Sequence, residues 1–266
     1  MVIREALTLW EDHEVLIMLE ELLEKTRGEL ILSLGDELPQ ETEERLMDWI
    51  LRRKGGEPLQ YILGKWWFYG LEIQLIEPVL IPRPETEQLV ALALPHIHAQ
   101  DRVLDLCTGS GAIALAIANA VPDAIVTATD LSPAAIRTAE HNRDRLGLRG
   151  IQILQGDLFE PVTGERFHLI LSNPPYISTE DMGKLEREVL QEPRLALWGG
   201  DDGLSIYRRL TMEAPAHLYN GGRLMLEIGS GQGEDLRRLM AEAGFTEIEI
   251  YRDLAGHDRI VSGQIR

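Results

Sequence analysis

Apolar residues near the start of the chain recur at helical spacing. Val15, Leu16, Leu19, Leu22 and Leu23 lie three and four apart, which predicts an amphipathic helix from His13 to Arg27. Leu34-Gly35-Asp36 interrupts the pattern. Leu46, Trp49 and Ile50 predict a second helix from Glu41 to Arg53, with Arg52-Arg53-Lys54 and Gly55-Gly56 as its stop signal. Residues 1–58 therefore read as a small helical domain. Over 59–81 the period shortens. Tyr61-Ile62-Leu63-Gly64 and Leu71-Glu72-Ile73-Gln74-Leu75 predict two strands of a linking β-hairpin, joined by the aromatic turn Trp66-Trp67-Phe68-Tyr69. Four consecutive aromatics cannot all face a small core, so either some line a pocket or meet a partner, or they form a structural cluster under the helical domain. The prolines of Ile81-Pro82-Arg83-Pro84 fix an extended segment, and a helix is expected over Glu85–Leu94.

From about residue 101 apolar strands and amphipathic helices alternate. Strands are predicted at Arg102–Leu106, Ala124–Thr129, Ile151–Leu154, His168–Leu171, Leu224–Ile228, Glu247–Tyr251 and Arg259–Gly263. Helices are predicted at Ala112–Ala120, Pro133–Leu146 and Glu234–Ala243. This alternation predicts an α/β domain over 82–266, a doubly wound sheet with helices on both faces.

Composition narrows the class. Mean hydropathy is -0.11 and no apolar run approaches the roughly 18 residues of a membrane span. The first residues, MVIREALTLWEDHE, carry acids where a secretory signal has an apolar stretch, so a cytoplasmic protein is expected. Cys107 is the single cysteine, which excludes an intrachain disulfide and a cysteine-based zinc site. The seven histidines are scattered, and no metal site is expected. A net charge of -18 argues against a protein that holds nucleic acid by its phosphates, and favours a neutral or basic protein partner.

Ligands of open α/β sheets bind outside the carboxyl ends of the strands. Four successive strand ends carry hydrogen-bonding residues there: Asp105-Leu106-Cys107-Thr108-Gly109-Ser110-Gly111, then Asp130, then Gly156-Asp157-Leu158, then Asn173-Pro174-Pro175-Tyr176. Gly109 and Gly111 permit a tight turn into a helix, with main-chain N–H groups open to a ligand. Asp130 stands 19 residues beyond Gly111, where a carboxylate can accept both ribose hydroxyls. Asp157 can accept from an adenine amino group, Leu158 can cover the adenine face, and Asp105 can meet an ammonium group. The glycine loop alone fits a nicotinamide dinucleotide equally well.

Asn173-Pro174-Pro175-Tyr176 separates these readings. Its prolines remove backbone donors and leave two acceptors, the Asn173 side-chain carbonyl and the Pro174 main-chain carbonyl. Both can take a hydrogen from one NH2 group and turn its nitrogen toward a sulfonium methyl, while Tyr176 offers a face for a flat amide or base. Hydride transfer needs no such set. The expected reaction is methyl transfer from S-adenosylmethionine to a planar-bound nitrogen, with no strong general base required.

The loop resembles the N/D-P-P-Y/F/W motif of amino-methyltransferases acting on adenine, cytosine or glutamine. Further blocks, Gly56-Glu57-Pro58-Leu59-Gln60-Tyr61-Ile62-Leu63-Gly64, Leu80 through Glu87, Asp201-Asp202-Gly203-Leu204 and Asp253 through Arg259, resemble the peptide chain release factor N5-glutamine methyltransferases (the PrmC/HemK family) nearly end to end. The resemblance implies a helical substrate-recognition domain, a β-hairpin and a Rossmann-like seven-stranded methyltransferase domain. It implies methylation of the glutamine in the Gly-Gly-Gln motif of class I peptide chain release factors. It also implies a cofactor site of Cys107, Thr108, Gly109, Ser110, Gly111, Asp130, Asp157, Leu158 and Asn173. Substrate would be held by Asn173, Pro174, Pro175 and Tyr176, with Asn173, Pro174 and Tyr176 catalytic. A ribosomal-protein glutamine or a DNA adenine N6 are the alternative targets. Two residues depart from the family: glycine is usual where Cys107 stands, and an aromatic is frequent where Leu158 stands. If position 107 needs a positive φ, cysteine there is strained.

Overall fold

A computed structural model describes all 266 residues. The chain divides into two compact units, Met1–Lys65 with Glu186–Gln191, and Trp66–Leu185 with Glu192–Arg266.

The first unit holds helices α1 (Ile3–Ala6), α2 (Asp12–Leu23), α3 (Arg27–Leu32), α4 (Gln40–Lys54) and α5 (Leu59–Leu63). Val15 and Leu19 of α2 and Leu46 and Ile50 of α4 bury their apolar stripes against one another, as the spacing requires. Arg53 donates to Glu14 of α2 at 2.8 Å and to Glu188 at 2.5 Å, so the excursion at 186–191 is tied to α4. Two expectations fail in this unit. The helix expected over His13–Arg27 ends at Leu23, where Glu24 turns left-handed with φ 52°. Thr26 then starts α3, accepting from the Glu29 N–H while Glu29 accepts from the Thr26 N–H. That capping box, Thr26-x-x-Glu29, is a sequence signal for a new helix and overrides the continuing apolar pattern. Tyr61-Ile62-Leu63 is likewise helical. It forms α5 behind Pro58 and stops at Gly64, φ 72°.

The second unit opens on a hairpin of β1 (Lys65–Phe68) and β2 (Leu71–Gln74). Trp66, Trp67 and Phe68 thus lie in a strand rather than a turn, and Tyr69-Gly70 makes the turn with φ 48° and 77°. Strand alternation decides their fates: Trp67 is exposed and Phe68 is buried. Helix α6 (Pro84–Ala93) starts on a proline, with Glu85 and Glu87 in its first turn beside the positive end of the helix dipole.

Strands β3 (Arg102–Leu106), β4 (Ile125–Asp130), β5 (Gln152–Gln155), β6 (Phe167–Ser172), β7 (Leu218–Glu227), β8 (Thr246–Arg252) and β9 (Asp258–Gln264) form one seven-stranded sheet in the order β5-β4-β3-β6-β7-β9-β8. The pairs from β5 to β7 are parallel, and β9 runs antiparallel to both β7 and β8. Between them lie α7 (Ala112–Ala120), α8 (Pro133–Arg145), α9 (Thr179–Met182), α10 (Arg194–Leu197), α11 (Ser205–Glu213) and α12 (Gly233–Glu242). Val103 faces a core built with α6 and α7, while its neighbour Leu104 faces one built with α11 and α12. Both faces of β3 are therefore covered, which explains its unbroken apolar run. The sequence reading left α11 out, although Tyr207, Leu210, Thr211 and Ala214 carry helical spacing. No helix is long and apolar enough to cross a membrane.

The cap at Thr26 gives a stability test. Thr26→Ala is expected to lower the unfolding free energy by about 1 kcal/mol and Thr26→Ser to change it little, read from urea denaturation. Equal stability of native and alanine forms would show that the break at Glu24 does not depend on the box.

Candidate active site

From β3 the chain passes to β4 and β5 on one side, then returns to β6 on the other. That reversal opens a crevice at the carboxyl ends of β3 and β6. The glycine loop follows β3 and Asn173 follows β6, and both line one cleft. Its lining sets the polar Asp130, Asp157 and Asn173 among apolar side chains such as Ile113, Leu158 and Ile206.

The loop after β3 is held from below. Asp105 is fully buried, takes the Thr108 hydroxyl at 2.5 Å and accepts the Ala114 N–H at 3.2 Å. It lies beneath the cleft lining, so it shapes the loop rather than facing an ammonium group as expected. Its second oxygen, Oδ1, is buried without a partner, and burial pushes its carboxyl pKa up to about 7. The Thr108 N–H donates to the Thr129 carbonyl of β4 at 3.0 Å. Asn142 of α8 donates to the Ser110 carbonyl at 3.0 Å. Gly109 and Gly111 have φ 56° and 85°. A Cβ on Gly109 would meet nothing, but one on Gly111 would come within 3.1 Å of the Ala139 and Leu115 side chains. Gly111 is therefore required by close helix packing as well as by its φ.

Asp130 ends β4 and accepts the Gly109 N–H at 2.9 Å and the Ser132 N–H at 2.8 Å. Each oxygen keeps capacity for a further donor. Burial raises its pKa in spite of these N–H groups. Asp157 receives both terminal nitrogens of Arg209 at 3.1 and 2.9 Å, a bidentate pair from α11 that fixes the carboxylate plane. Leu158 is buried with φ 48°, its carbonyl held by the Thr129 hydroxyl at 3.2 Å.

Asn173 donates from Nδ2 to the Thr86 hydroxyl of α6 at 3.2 Å, and its Oδ1 is buried without a partner. Pro174 is buried and Pro175 lines the cleft. Burial lifts the Tyr176 phenol to about 12, so it stays protonated, a ring face and not a base. The loop rests on glycines: a Cβ on Gly199 would fall 2.7 Å from the Pro175 carbonyl, and one on Gly203 2.4 Å from that of Tyr176. This explains why Asp201-Asp202-Gly203-Leu204 carries a glycine. Asp253 accepts the N–H groups of Ala255 and His257 and the Arg259 guanidinium, which sets Arg259 in the field of Tyr176 and Glu227.

Sequence reasoning missed Thr86, Glu192, Arg209 and Glu227. Glu192 is buried, accepts the Ile81 N–H at 2.9 Å and pairs with Arg83, holding the proline segment at the cleft edge. Glu227 ends β7, buried, with Oε2 lacking a partner. A carboxylate inside the apolar run Leu224–Ile228 was its available signal. Glu85 and Glu87 serve the helix start; Glu87 accepts the Tyr69 N–H at 2.7 Å.

Comparison with known proteins identifies the family. Residues 86–201 match the methyltransferase small domain and residues 4–64 the PrmC N-terminal domain. The release factor glutamine methyltransferase of Neisseria gonorrhoeae is 42% identical over 253 residues, 94% of this chain and 92% of that protein. The chain belongs to the release factor glutamine methyltransferase family. The Pseudomonas aeruginosa member is 44% identical over 228 residues, covering 85% of this chain and 83% of its own. A solved methyltransferase from Pyrococcus furiosus, 18% identical with a TM-score of 0.57, covers 82% of this chain and 96% of its own, and shares the fold.

Cys107, where the family resemblance leads to an expected glycine, has a φ of 60°, which meets the condition for strain. Burial pushes its thiol pKa up, which keeps it protonated. Cys107→Gly is expected to keep stability within about 1 kcal/mol, relief of strain offsetting lost contacts. Cys107→Val, with a branched Cβ at the same φ, is expected to cost about 2 kcal/mol more. Urea unfolding of the three forms checks the ordering, and a valine form as stable as the glycine form would remove strain from the account.

The raised carboxyl of Asp105 sets a pH dependence. Its folded pKa of about 7 lies above the ordinary 3.8, so the folded state binds more protons between these values. Its contribution to stability is complete below the ordinary value and is lost as pH rises through about 7. Asp105→Asn is expected to flatten this decline in urea unfolding between about pH 5 and 7.5. An unchanged slope would contradict the assignment.

Proposed function

We propose that the chain transfers the methyl group of S-adenosylmethionine to the side-chain amide nitrogen of a glutamine, that of the Gly-Gly-Gln motif in class I peptide chain release factors. The observation that carries the chemistry is the unpartnered, buried Oδ1 of Asn173, a residue that lines the cleft together with the glycine loop. The names of the relatives carry the substrate.

Cys107 to Gly111, Asp130, Asp157 and Leu158 form the cofactor side. Gly109 leaves open space above its backbone for a ligand. Asp130 keeps free lone pairs for ribose hydroxyls, and Leu158 offers an apolar cover for adenine. Arg209 holds the Asp157 carboxylate for the adenine amino group. When bound, S-adenosylmethionine supplies an electrophilic methyl on a positive sulfur.

Asn173, Pro174, Pro175 and Tyr176 form the substrate side. An amide nitrogen is a poor nucleophile because its lone pair is delocalised. Asn173 Oδ1 and the Pro174 carbonyl accept its two hydrogens, which orients the nitrogen and stabilises positive charge developing on it. Tyr176 stacks on the flat amide. The new N–C bond forms as the S–C bond breaks, and the nitrogen then gives one proton to water. No side chain is assigned as base.

Asn173→Ala tests this reading. Its fold and cofactor affinity are expected to stay near native, while methylation of the Gly-Gly-Gln glutamine falls by at least about a hundredfold. Mass spectrometry of a release factor after incubation with cofactor reads the product. Near-native turnover by the variant would sink the mechanism, and a methyl on DNA but not on the factor would sink the substrate.

A further inference from the structure

Gln232 stands just before α12, at the position that caps the helix. Serine, threonine, aspartate or asparagine serve best there, because a short side chain turns back to the first free N–H groups. Glutamine is a poor cap, and the Gln232 side chain makes no cap bond. A residue that breaks a local preference in this way points to a use elsewhere.

The Gln232 amide joins the loop after β7 to two others. Oε1 accepts the Gly229 N–H at 2.9 Å. Nε2 donates to the Tyr176 carbonyl at 3.2 Å and to the Gly203 carbonyl at 3.3 Å. These partners allow one orientation only. A main-chain N–H can only donate and a carbonyl can only accept, so a flipped amide would lose every one of these bonds. Glycines let the contact close. A Cβ on Gly203 would fall 2.9 Å from Gln232 Nε2, and one on Gly229 would fall 2.9 Å from its Oε1 and 3.2 Å from Tyr176 Cδ2. The Tyr176 ring edge therefore lies over Gly229 while its carbonyl is held by Gln232. The next residue is pinned as well: the Ile177 N–H donates to the Leu197 carbonyl and the Ile177 carbonyl accepts the Gly199 N–H, both at 2.9 Å. Pro174 and Pro175 bring no N–H of their own, so donors from outside must hold this loop.

We propose that Gln232 is a positioning residue for methyl transfer: by donating to the Tyr176 and Gly203 carbonyls it fixes the Tyr176 backbone, and with it the tilt of the ring face on which the glutamine amide rests. This rests on the reading of Tyr176 as that face. Gln232 touches neither the glycine loop nor Asp130, so its effect belongs to the substrate side. Without its two N–H bonds the Tyr176 carbonyl loses its donor and the ring loses its fixed tilt over Gly229. The amide nitrogen is then held less well in line with the methyl, and alignment is what this reaction needs most.

The test pairs a kinetic readout with one that needs no substrate. Gln232→Met keeps the length and removes every hydrogen bond of the amide. Gln232→Glu keeps an acceptor for Gly229 but has no N–H for the two carbonyls. Both variants are expected to lower kcat for release factor methylation by at least about tenfold, with KM for the factor changed less than about threefold. Cofactor affinity, read by calorimetry, is expected to stay within about threefold of native, which also shows that each variant is folded. In 19F NMR of protein carrying fluorotyrosine, the Tyr176 resonance, assigned by its absence in Tyr176→Phe, is expected to be single and sharp in the native form. It should shift or broaden in both variants. Native-like kcat in either variant, or a Tyr176 resonance unmoved in both, would overturn the proposal. A cofactor affinity that falls as far as kcat would overturn it too, since the loss would then be general. A native protein that leaves the release factor unmethylated, with the Tyr176 resonance responding as expected, would instead overturn the substrate reading and support the hold on Tyr176.

Discussion

The parallel pairing of β3 with β6 is the constraint on which the site depends. Its register sets Leu106 opposite Ser172, and the Ser172 hydroxyl caps the Leu106 carbonyl at 2.7 Å. Both strands therefore end at the same level, and the chain leaves each with its next residue, Cys107 or Asn173, at one rim. A slip of one residue would turn every β6 side chain to the other face and carry the Asn173 loop with it. Burial on both faces forbids that slip, because Leu169 and Leu171 belong to one core and Ile170 to the other.

Around that register the protein accepts a set of costly burials. Asp105, Asn173 and Glu227 each hold an atom that is buried and has no partner. Such groups are expensive unless hydrogen-bonded. Asn173 and Glu227 stand at the carboxyl ends of β6 and β7, and Asp105 lies beneath the glycine loop. The cost shows in the carboxyls of Asp105 and Glu227, both pushed up to about 7 chiefly by burial. An acceptor kept dry in this way acts more strongly on a developing charge than one bathed in water. The left-handed conformations of Cys107 and Leu158 lie on the same rim, where surrounding hydrogen bonds hold them.

Most of the element order was legible in the sequence, because period-two and period-3.6 patterns are local. The glycine loop, Asp130, Asp157 and Asn173-Pro174-Pro175-Tyr176 were legible too, since each follows an apolar strand. The failures had local causes. At Glu24 a capping box interrupted an apolar stripe that ran on past it. At Tyr61-Ile62-Leu63 an apolar triplet too short to show a period joined a helix behind Pro58. Helix α11 was passed over although its spacing was regular.

Sequence by itself determined which residue types stand at the strand ends: carbonyl acceptors in a donor-poor proline loop, acids, and glycines at the turn. Those properties belong to residue types and short spacings. Only the tertiary structure decided their partners. Thr86 and Asn173, which share a hydrogen bond, are 87 residues apart along the chain, and no local pattern links them. The sheet order brings β6 beside β7, and α6 lays Thr86 across their ends. The same closure moved Asp105 from the mouth of the loop to its foundation and gave Asp157 an arginine from α11. The Asn173 amide gains its hydroxyl partner only when α6 has packed beside the end of β6, because the two segments lie far apart in sequence.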